Sequence, residues 1–400
     1  MARQIVVGID IGTSLVKVII AEGLIEHGHI APKIIGTGSA ESKGVHRGYI
    51  VNPNEAVGSV KAAVLRAEKV ANLKVKRAYV SFGGIGLGSI VANGSVIISR
   101  ADLEITERDI SAVLEAAEAA IPKATSINKR IINIVPIEYK IDGKTVWGRT
   151  LGLKAQKLEV KALFITCLEH HLADLISTVE EAGIEVIDVV ASPVALSFVA
   201  LSKKQKRVGC LLADLGAETL SIVIFENGNL ISLQVFPIGA SDITNDIALG
   251  LKISLEEAEN MKLGDERRML YSKKKLEEII KARLSDCFEL IETHLKSIGR
   301  DSLLPAGAVL AGGGSATFGI KNIAENSLKL PCQVAEIYFG TTTESKIKDR
   351  GWAVACGLSI VGFNADDEQL SIGTRNGALI AESSKRWGRT LAHWISQFLP

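Results

Sequence analysis

No run of about twenty apolar residues, the length a membrane-spanning helix needs, occurs in this sequence, so no span is expected. Cysteine is scarce: five in 400 residues, at Cys167, Cys210, Cys287, Cys332 and Cys356. They form no CxxC pair and keep no zinc-like spacing to histidine. That argues against a disulfide framework or a zinc site and for free thiols in a reducing cytosol. A charge bias is missing too. The 46 Lys+Arg and 45 Asp+Glu residues leave a formal net charge of +1, which gives no electrostatic footprint for nucleic acid. A signal-peptide pattern is also lacking, because "ARQIVVGIDIG" runs straight into a strand pattern. His170 and His171 are adjacent, and adjacent side chains point apart on either kind of element. Both are therefore expected on the surface rather than on a metal.

What is present is an ordinary globular composition, 47% apolar and 23% charged. The chain is too long for one core, so two or more domains are expected. "QIVVGIDIG", "LVKVIIAEG" and "HIAPKIIGTGSA" read as three successive strands. A helix follows over "NPNEAVGSVKAAVLRAEKVAN", with Asn52 or Asn54 as its cap, and "KRAYVSFGG" is the next strand. A second cycle begins at "VGCLLADLGAETLSIVIFENGNLISLQVFPIG": three strands, one hairpin turning at Asn227–Gly228, then helices. The stretch from Asn364 to Lys385 is polar and contains glycine, and it reads as a linker. The chain is thus an α/β protein with an internal duplication.

Each copy opens on a strand ending in Asp-x-Gly. An Asp at the end of a buried strand, followed by Gly and small hydroxyl residues, suits a metal–phosphate site. Glycine lets backbone N–H groups approach phosphate oxygens, and the carboxylate holds Mg²⁺, usually through water. The parts are Asp10, Gly12, Thr13, Ser14 and Lys17 in the first copy and Asp214, Gly216, Ala217 and Thr219 in the second. One such motif is explained by a tight turn. Two in duplicated contexts point to phosphate loops facing each other across a cleft, with Asp10 and Asp214 as the metal carboxylates. "AVLAGGGSATFGI" adds an apolar strand running into Gly312, Gly313, Gly314 and Ser315, where backbone can pass close to a ring or a ribose. Glu259 and Lys262, three apart on a helix, share a face and could grip two ribose hydroxyls.

The ordered set GIDIGTSLVK, ADLGAET, AENMK and VLAGGGS resembles the actin-like ATPase superfamily, which heat-shock chaperone ATPases, sugar kinases, MreB, PilM and FtsA share. "ITNDIALGLKISLEEAENMKLG" and "WAVACGLSIVGF" are similar to the FtsA family of cell division proteins, and the likeness extends over nearly the whole chain. The resemblance implies an actin-like ATPase fold: two ribonuclease-H-like halves around a nucleotide cleft, with an FtsA-type inserted subdomain. It implies a first core from 1–84, 162–196 and 352–363, an insert from 85–161, and a second core from 197–240 and 304–351. A helical subdomain would span 241–303, a linker 364–383 and a terminal helix 384–400.

It further implies binding of ATP with Mg²⁺ and self-assembly into a filament at the cytoplasmic face of the inner membrane. The helical subdomain would take the C-terminal tail of the tubulin-like FtsZ, and the insert would contact later division proteins. One departure stands out. The superfamily's second loop is often Asp-x-Gly-Gly-Gly-Thr; here Ala217 and Glu218 replace two glycines. An inward Glu218 would repel the terminal phosphate, so it is expected to point outward. Binding is expected, with at most a weak Mg-dependent ATPase activity, and no residue identifies itself as the hydrolytic base.

The last residues complete the pattern. Trp387, Leu391, Trp394, Ile395 and Phe398 form one helical stripe, widened by Leu399, with Lys385, Arg386 and Arg389 at its start. Trp with basic flanks suits a helix lying in anionic headgroups; a groove on a partner protein is the alternative. Gly388 lowers helix propensity by about 1 kcal/mol, so the helix is expected to form on the membrane. Two other functions compete: a PilM-like pilus-assembly scaffold, which would not need the tail, and a sugar- or acetate-type kinase, which would need a base and an acceptor pocket.

Overall fold

A five-strand sheet carries the first half, and five strands in the equivalent order, part of a nine-strand sheet, carry the second. The computed structural model describes residues 4–26, 29–146, 148–264, 272–339, 346–347 and 349–371. In the first half, β1 (Gln4–Ile11), β2 (Leu15–Glu26) and β3 (His29–Glu41) form an antiparallel meander. Val6, Val7, Ile9 and Ile11 of β1 are all buried, the mark of a strand covered on both faces. A small hairpin, β4 (Val45–His46) with β5 (Tyr49–Ile50), precedes α1 (Pro53–Ala71). Pro53 presets the first turn of α1, Asn52 occupies the cap position without a side-chain cap bond, and Asn72 closes the helix in the left-handed region at φ 52°. The helix buries Val60, Ala63, Val64 and Ala67. It can approach β3 closely because Gly36 and Gly38 carry no side chains: a Cβ on Gly38 would overlap the Ala63 carbonyl. β6 (Arg77–Phe82) then runs parallel to β1.

Gly58, exposed on α1, is a different case, since a Cβ there meets nothing within 4 Å. Gly58→Ala is expected to stabilise the chain by about 0.5–1 kcal/mol through helix propensity alone; a chemical melt with an unshifted midpoint would refute this.

An insert follows. β7 (Gly88–Ile97), β8 (Lys129–Ile141), β9 (Lys144–Val146) and β10 (Lys157–Leu168) form an antiparallel sheet. α2 (Glu107–Ala119) packs on one face and the single turn α3 (Lys123–Ser126) follows it. At the start of α2, Asp109 Oδ2 accepts the Thr106 N–H at 2.8 Å and caps the first turn. α4 (Glu169–Glu181) leads back to β11 (Glu185–Ala191), parallel to β6, and completes the order β11-β6-β1-β2-β3. His171 at the start of α4 stacks on Tyr49 with ring centroids 3.4 Å apart, and His170 lies 3.9 Å from it. The two rings converge rather than diverge, because one is drawn onto the tyrosine.

α5 (Ser192–Ala200) and α6 (Lys203–Val208) cross to the second half. There β12 (Cys210–Leu215), β13 (Leu220–Glu226) and β14 (Asn229–Phe236) repeat the meander, turning at Asn227 and Gly228 with φ 53° and 86°. α7 (Ala240–Leu251), α8 (Leu255–Lys262) and α9 (Lys273–Ser297) pack into one apolar cluster against this sheet. β15 (Ala308–Ala311), α10 (Ile320–Leu328) and β16 (Cys332–Val334) give the order β16-β15-β12-β13-β14. Both halves are therefore a three-strand antiparallel meander with two parallel strands added on the β1 or β12 side. β14 continues through one pairing, Gln234 with Gly88, into β7 of the insert, so the second-half sheet and the insert share nine strands.

After β17 (Ile337–Tyr338) and β18 (Lys346–Ile347), α11 (Ala353–Ser371) returns to the first half. The helix runs to Ser371, eight residues into the stretch read as a linker. The remainder of that stretch and the terminal stripe from Lys385 to Leu399 lie outside the described residues. Among the described residues no helix is long and apolar enough to cross a membrane, and all five cysteines are free and buried.

Candidate nucleotide cleft

Asp10 is the next-to-last residue of β1, as Asp214 is of β12. Each strand then makes the same turn: Gly12 N–H donates to Leu15 O at 3.2 Å, and Gly216 N–H donates to Thr219 O at 2.9 Å. The turns are equivalent in backbone as well as in sequence. Thr13 and Ser14 sit in the first turn, where Ser14 O accepts from Ser42 N–H at 2.9 Å. The second turn is clamped by α7: Ala240 N–H bonds Gly216 O at 2.9 Å, and Ser241 N–H bonds Ala217 O at 2.8 Å. A Cβ on Gly239 would overlap the Ala217 carbonyl, so this residue too is set by backbone approach.

The two carboxylates feel each other across the cleft. Burial pushes Asp214 up to about 7, the Asp10 charge pushes it further in the same direction, and Lys17 opposes both. Burial also raises Asp10, against a 2.6 Å hydrogen bond from Ser81 Oγ and the Lys17 charge. The Lys17 ammonium itself donates to Gly351 O at 2.7 Å. Two partly shielded carboxylates with one shared ammonium are short of positive charge. Gly312, at φ 78°, leaves the space beside them open, because a Cβ there would overlap Asp214 Oδ1 and the Leu215 carbonyl. Hard oxygen donors, hydroxyls and free backbone fit Mg²⁺. Among the described residues no three His, Cys, Asp or Glu side chains form a cage; a cation held by Asp10 and Asp214 would complete its shell with water and phosphate oxygens.

The glycine strand ends in a 3-10 turn, Gly313–Ala316, beside β12. Ser315 Oγ donates to Gly312 O at 2.7 Å, so its hydroxyl closes the turn. A cavity of about 510 Å³ opens against Ser315, Thr317 and Phe318 and is lined also by Val334 and Arg350. That volume is of the size that holds small ligands. Glu259 and Lys262 do meet, at 2.6 Å. Lys262 is buried, however, and its ammonium also bonds Thr244 Oγ1 at 2.9 Å and Ala240 O at 3.2 Å. Glu259, 46% exposed, is the member of the pair that faces solvent; Lys262 positions it.

Sequence reasoning missed Ser81, the hydroxyl on Asp10, although "SFGG" repeats the small-residue signature at a strand end. It also left the β4–β5 hairpin unread. Glu218 points away from the space between the carboxylates: its Oε2 accepts from Arg47 N–H at 2.7 Å and lies 3.0 Å from His46 Nδ1.

Two family models match this chain. One described as "Cell division protein FtsA" covers residues 211–357, and one described as "SHS2 domain inserted in FTSA" covers 84–166. The FtsA of Bacillus subtilis (strain 168) is 32% identical over 354 residues, 83% of this chain and 79% of its own. The chain belongs to the FtsA family. The FtsA of Pseudomonas aeruginosa is 28% identical over an alignment covering 96% of this chain and 97% of its own. Among solved structures, a PilM–PilN type IV pilus biogenesis complex superposes with TM-score 0.64 at 17% identity, covering 89% of this chain and 98% of that one. MreB 5 of Spiroplasma citri bound to AMPPNP superposes at 0.50 and 12% identity, covering 92% and 98%. These likenesses place the FtsA-family chain in the actin-like fold.

Proposed function

We propose that this FtsA-family protein binds ATP with Mg²⁺ between its two Asp-x-Gly turns, assembles with itself, and tethers the FtsZ ring to the cytoplasmic face of the membrane. The observation that carries the nucleotide part is the pair of equivalent turns with Asp10 and Asp214 facing across the cleft. Family membership supports the division role. On this reading residues 241–303 take the FtsZ tail, the insert meets later division proteins, and residues 384–400 lie in anionic headgroups. A single short amphipathic helix binds weakly; a filament carrying many gains by avidity. ATP favours the filament, and the filament makes attachment stable.

Co-sedimentation with anionic liposomes tests this, using the whole chain and a truncation after Ser383, each with and without Mg-ATP. The whole chain is expected to pellet, more so with Mg-ATP, and the truncation to stay in solution. If both stay in solution under every condition, the tether is wrong, and a pilus-assembly scaffold becomes the better reading.

A further inference from the structure

The segment that leads from β6 into the insert, Gly83 to Leu87, is connected to both Asp-x-Gly turns through its neighbours. On the first-half side the link is along the chain: Ser81 of β6 donates to Asp10 and lies two residues before Gly83. On the second-half side the link runs through the β4–β5 hairpin. Glu218 reaches across the cleft to its tip, accepting Arg47 N–H at 2.7 Å beside His46 Nδ1 at 3.0 Å. The same Arg47 residue accepts Ile85 N–H through its carbonyl at 3.3 Å, and Tyr49 Oη donates to Ile85 O at 2.7 Å. Both backbone groups of Ile85 are thus held by the hairpin. Gly48, at φ 77°, lies so close to Gly84 that a Cβ on either would overlap the other strand's backbone or Tyr49.

The second turn cannot shift without its glutamate. Its backbone is fixed by α7 through Ala240 and Ser241. The charged side chain is long enough to span to the hairpin, and an acceptor on a backbone N–H is a strong, directional contact. The insert also bonds the second half at a separate place: Ser89 Oγ donates to Leu233 O at 3.0 Å and accepts Leu233 N–H at 2.9 Å. A change in the angle between the halves therefore strains the segment between Gly83 and Ser89 from both ends.

We infer that Glu218 is a positioning residue whose contact with the Arg47 peptide couples the occupancy of the second phosphate turn to the seating of the insert. The coupling rests on the nucleotide-cleft reading above. It assigns a use to the residue that replaces a loop glycine. Glu218 serves the opposite hairpin instead of the phosphate, and the insert senses whether the two turns have been drawn together.

Hydrogen exchange of backbone amides 83–97 in the full chain, with and without Mg-ADP, tests it alongside a fluorescent-nucleotide titration. In the natural chain nucleotide should slow exchange in this segment by about fivefold or more, the low end of ordinary site coupling. Glu218→Ala should still bind nucleotide but lose that slowing. Glu218→Gln keeps an oxygen acceptor for Arg47 N–H and should restore most of it, which a merely structural defect would not do. If Glu218→Ala keeps the full nucleotide-dependent slowing, or if the natural chain binds nucleotide with no change at 83–97, the coupling is wrong. A natural chain that binds no nucleotide in the titration strikes the cleft reading itself, and the coupling with it.

Discussion

Asp214→Asn should raise the melting temperature of the nucleotide-free protein at pH 8 and abolish the Mg²⁺ dependence of nucleotide binding. The first effect follows from linkage. Asp214 is pushed from 3.8 to about 7 in the folded chain, chiefly by burial and then by the Asp10 charge. Between those values the folded state keeps a proton that the unfolded state has released, so stability falls as pH rises through that window and levels off above it. At about 1.4 kcal/mol per unit, the fall amounts to a few kcal/mol, about 4 at most, at pH 8. The amide removes it while keeping the shape, and a rise of roughly 3–6 °C is expected at pH 8. The gap between variant and natural protein should close as pH falls toward 4. Some slope remains in the variant, since burial raises Asp10 as well. The second effect follows from the donor set: removing one of two carboxylates leaves the cation half its protein charge. A variant that melts no higher at pH 8, or binds nucleotide with unchanged Mg²⁺ dependence, would show that the two carboxylates are not short of a counter-charge.

The two Asp-x-Gly turns were legible in the sequence, and the reason is local. A strand ending in Asp-x-Gly fixes its own turn through one short-range hydrogen bond, so Asp10–Thr13 and Asp214–Thr219 carry their geometry with them. The glycine strand did the same, with Gly312 forced by its positive φ and its contact with Asp214. The paired meanders were legible because their strands are rich in Val, Ile and Leu and are bounded by glycine-containing turns. What did not show was everything set by contacts between distant segments. Ser81 becomes a site residue only because β6 lies beside β1. Lys262 reads as a partner of Glu259 toward a ribose, yet it is buried, with its ammonium on Thr244 and Ala240 of α7. The outward turn of Glu218 could be inferred from charge repulsion; its landing place on the hairpin could not. Nor does any local signal announce that β14 meets β7 through Gln234 and Gly88. The linker was misjudged at its start because a polar, uncapped continuation of α11 has no stop signal before Gly373.

Gly357→Val should be the most damaging single change among the glycines away from the turns. α5 and α11 lie at the two places where the chain passes between its halves, and they pack against each other at Gly357. A Cβ there would overlap the carbonyl of Ala195 and come within 3.2 Å of its Cα. No rotamer relieves this, because the obstacle is helix backbone, so the helices must separate. Overpacking of this kind costs about 1–3 kcal/mol, and the β-branch adds to it. The larger consequence is functional. The two Asp-x-Gly turns belong to different halves, and β1 lies so close to α11 that a Cβ on Gly8 would overlap Ala355 O and Leu358 Cβ. Moving α11 therefore moves the Asp10 turn relative to the Asp214 turn, and binding that needs both should weaken by about tenfold or more, since an ångström of misplacement at a converging site is that costly. Gly58→Ala provides the contrast: the same residue type on an open helix face, with a gain in stability and no change in affinity. If Gly357→Val matches the natural protein in both melting temperature and nucleotide affinity, the helix crossing does not set the spacing of the two turns.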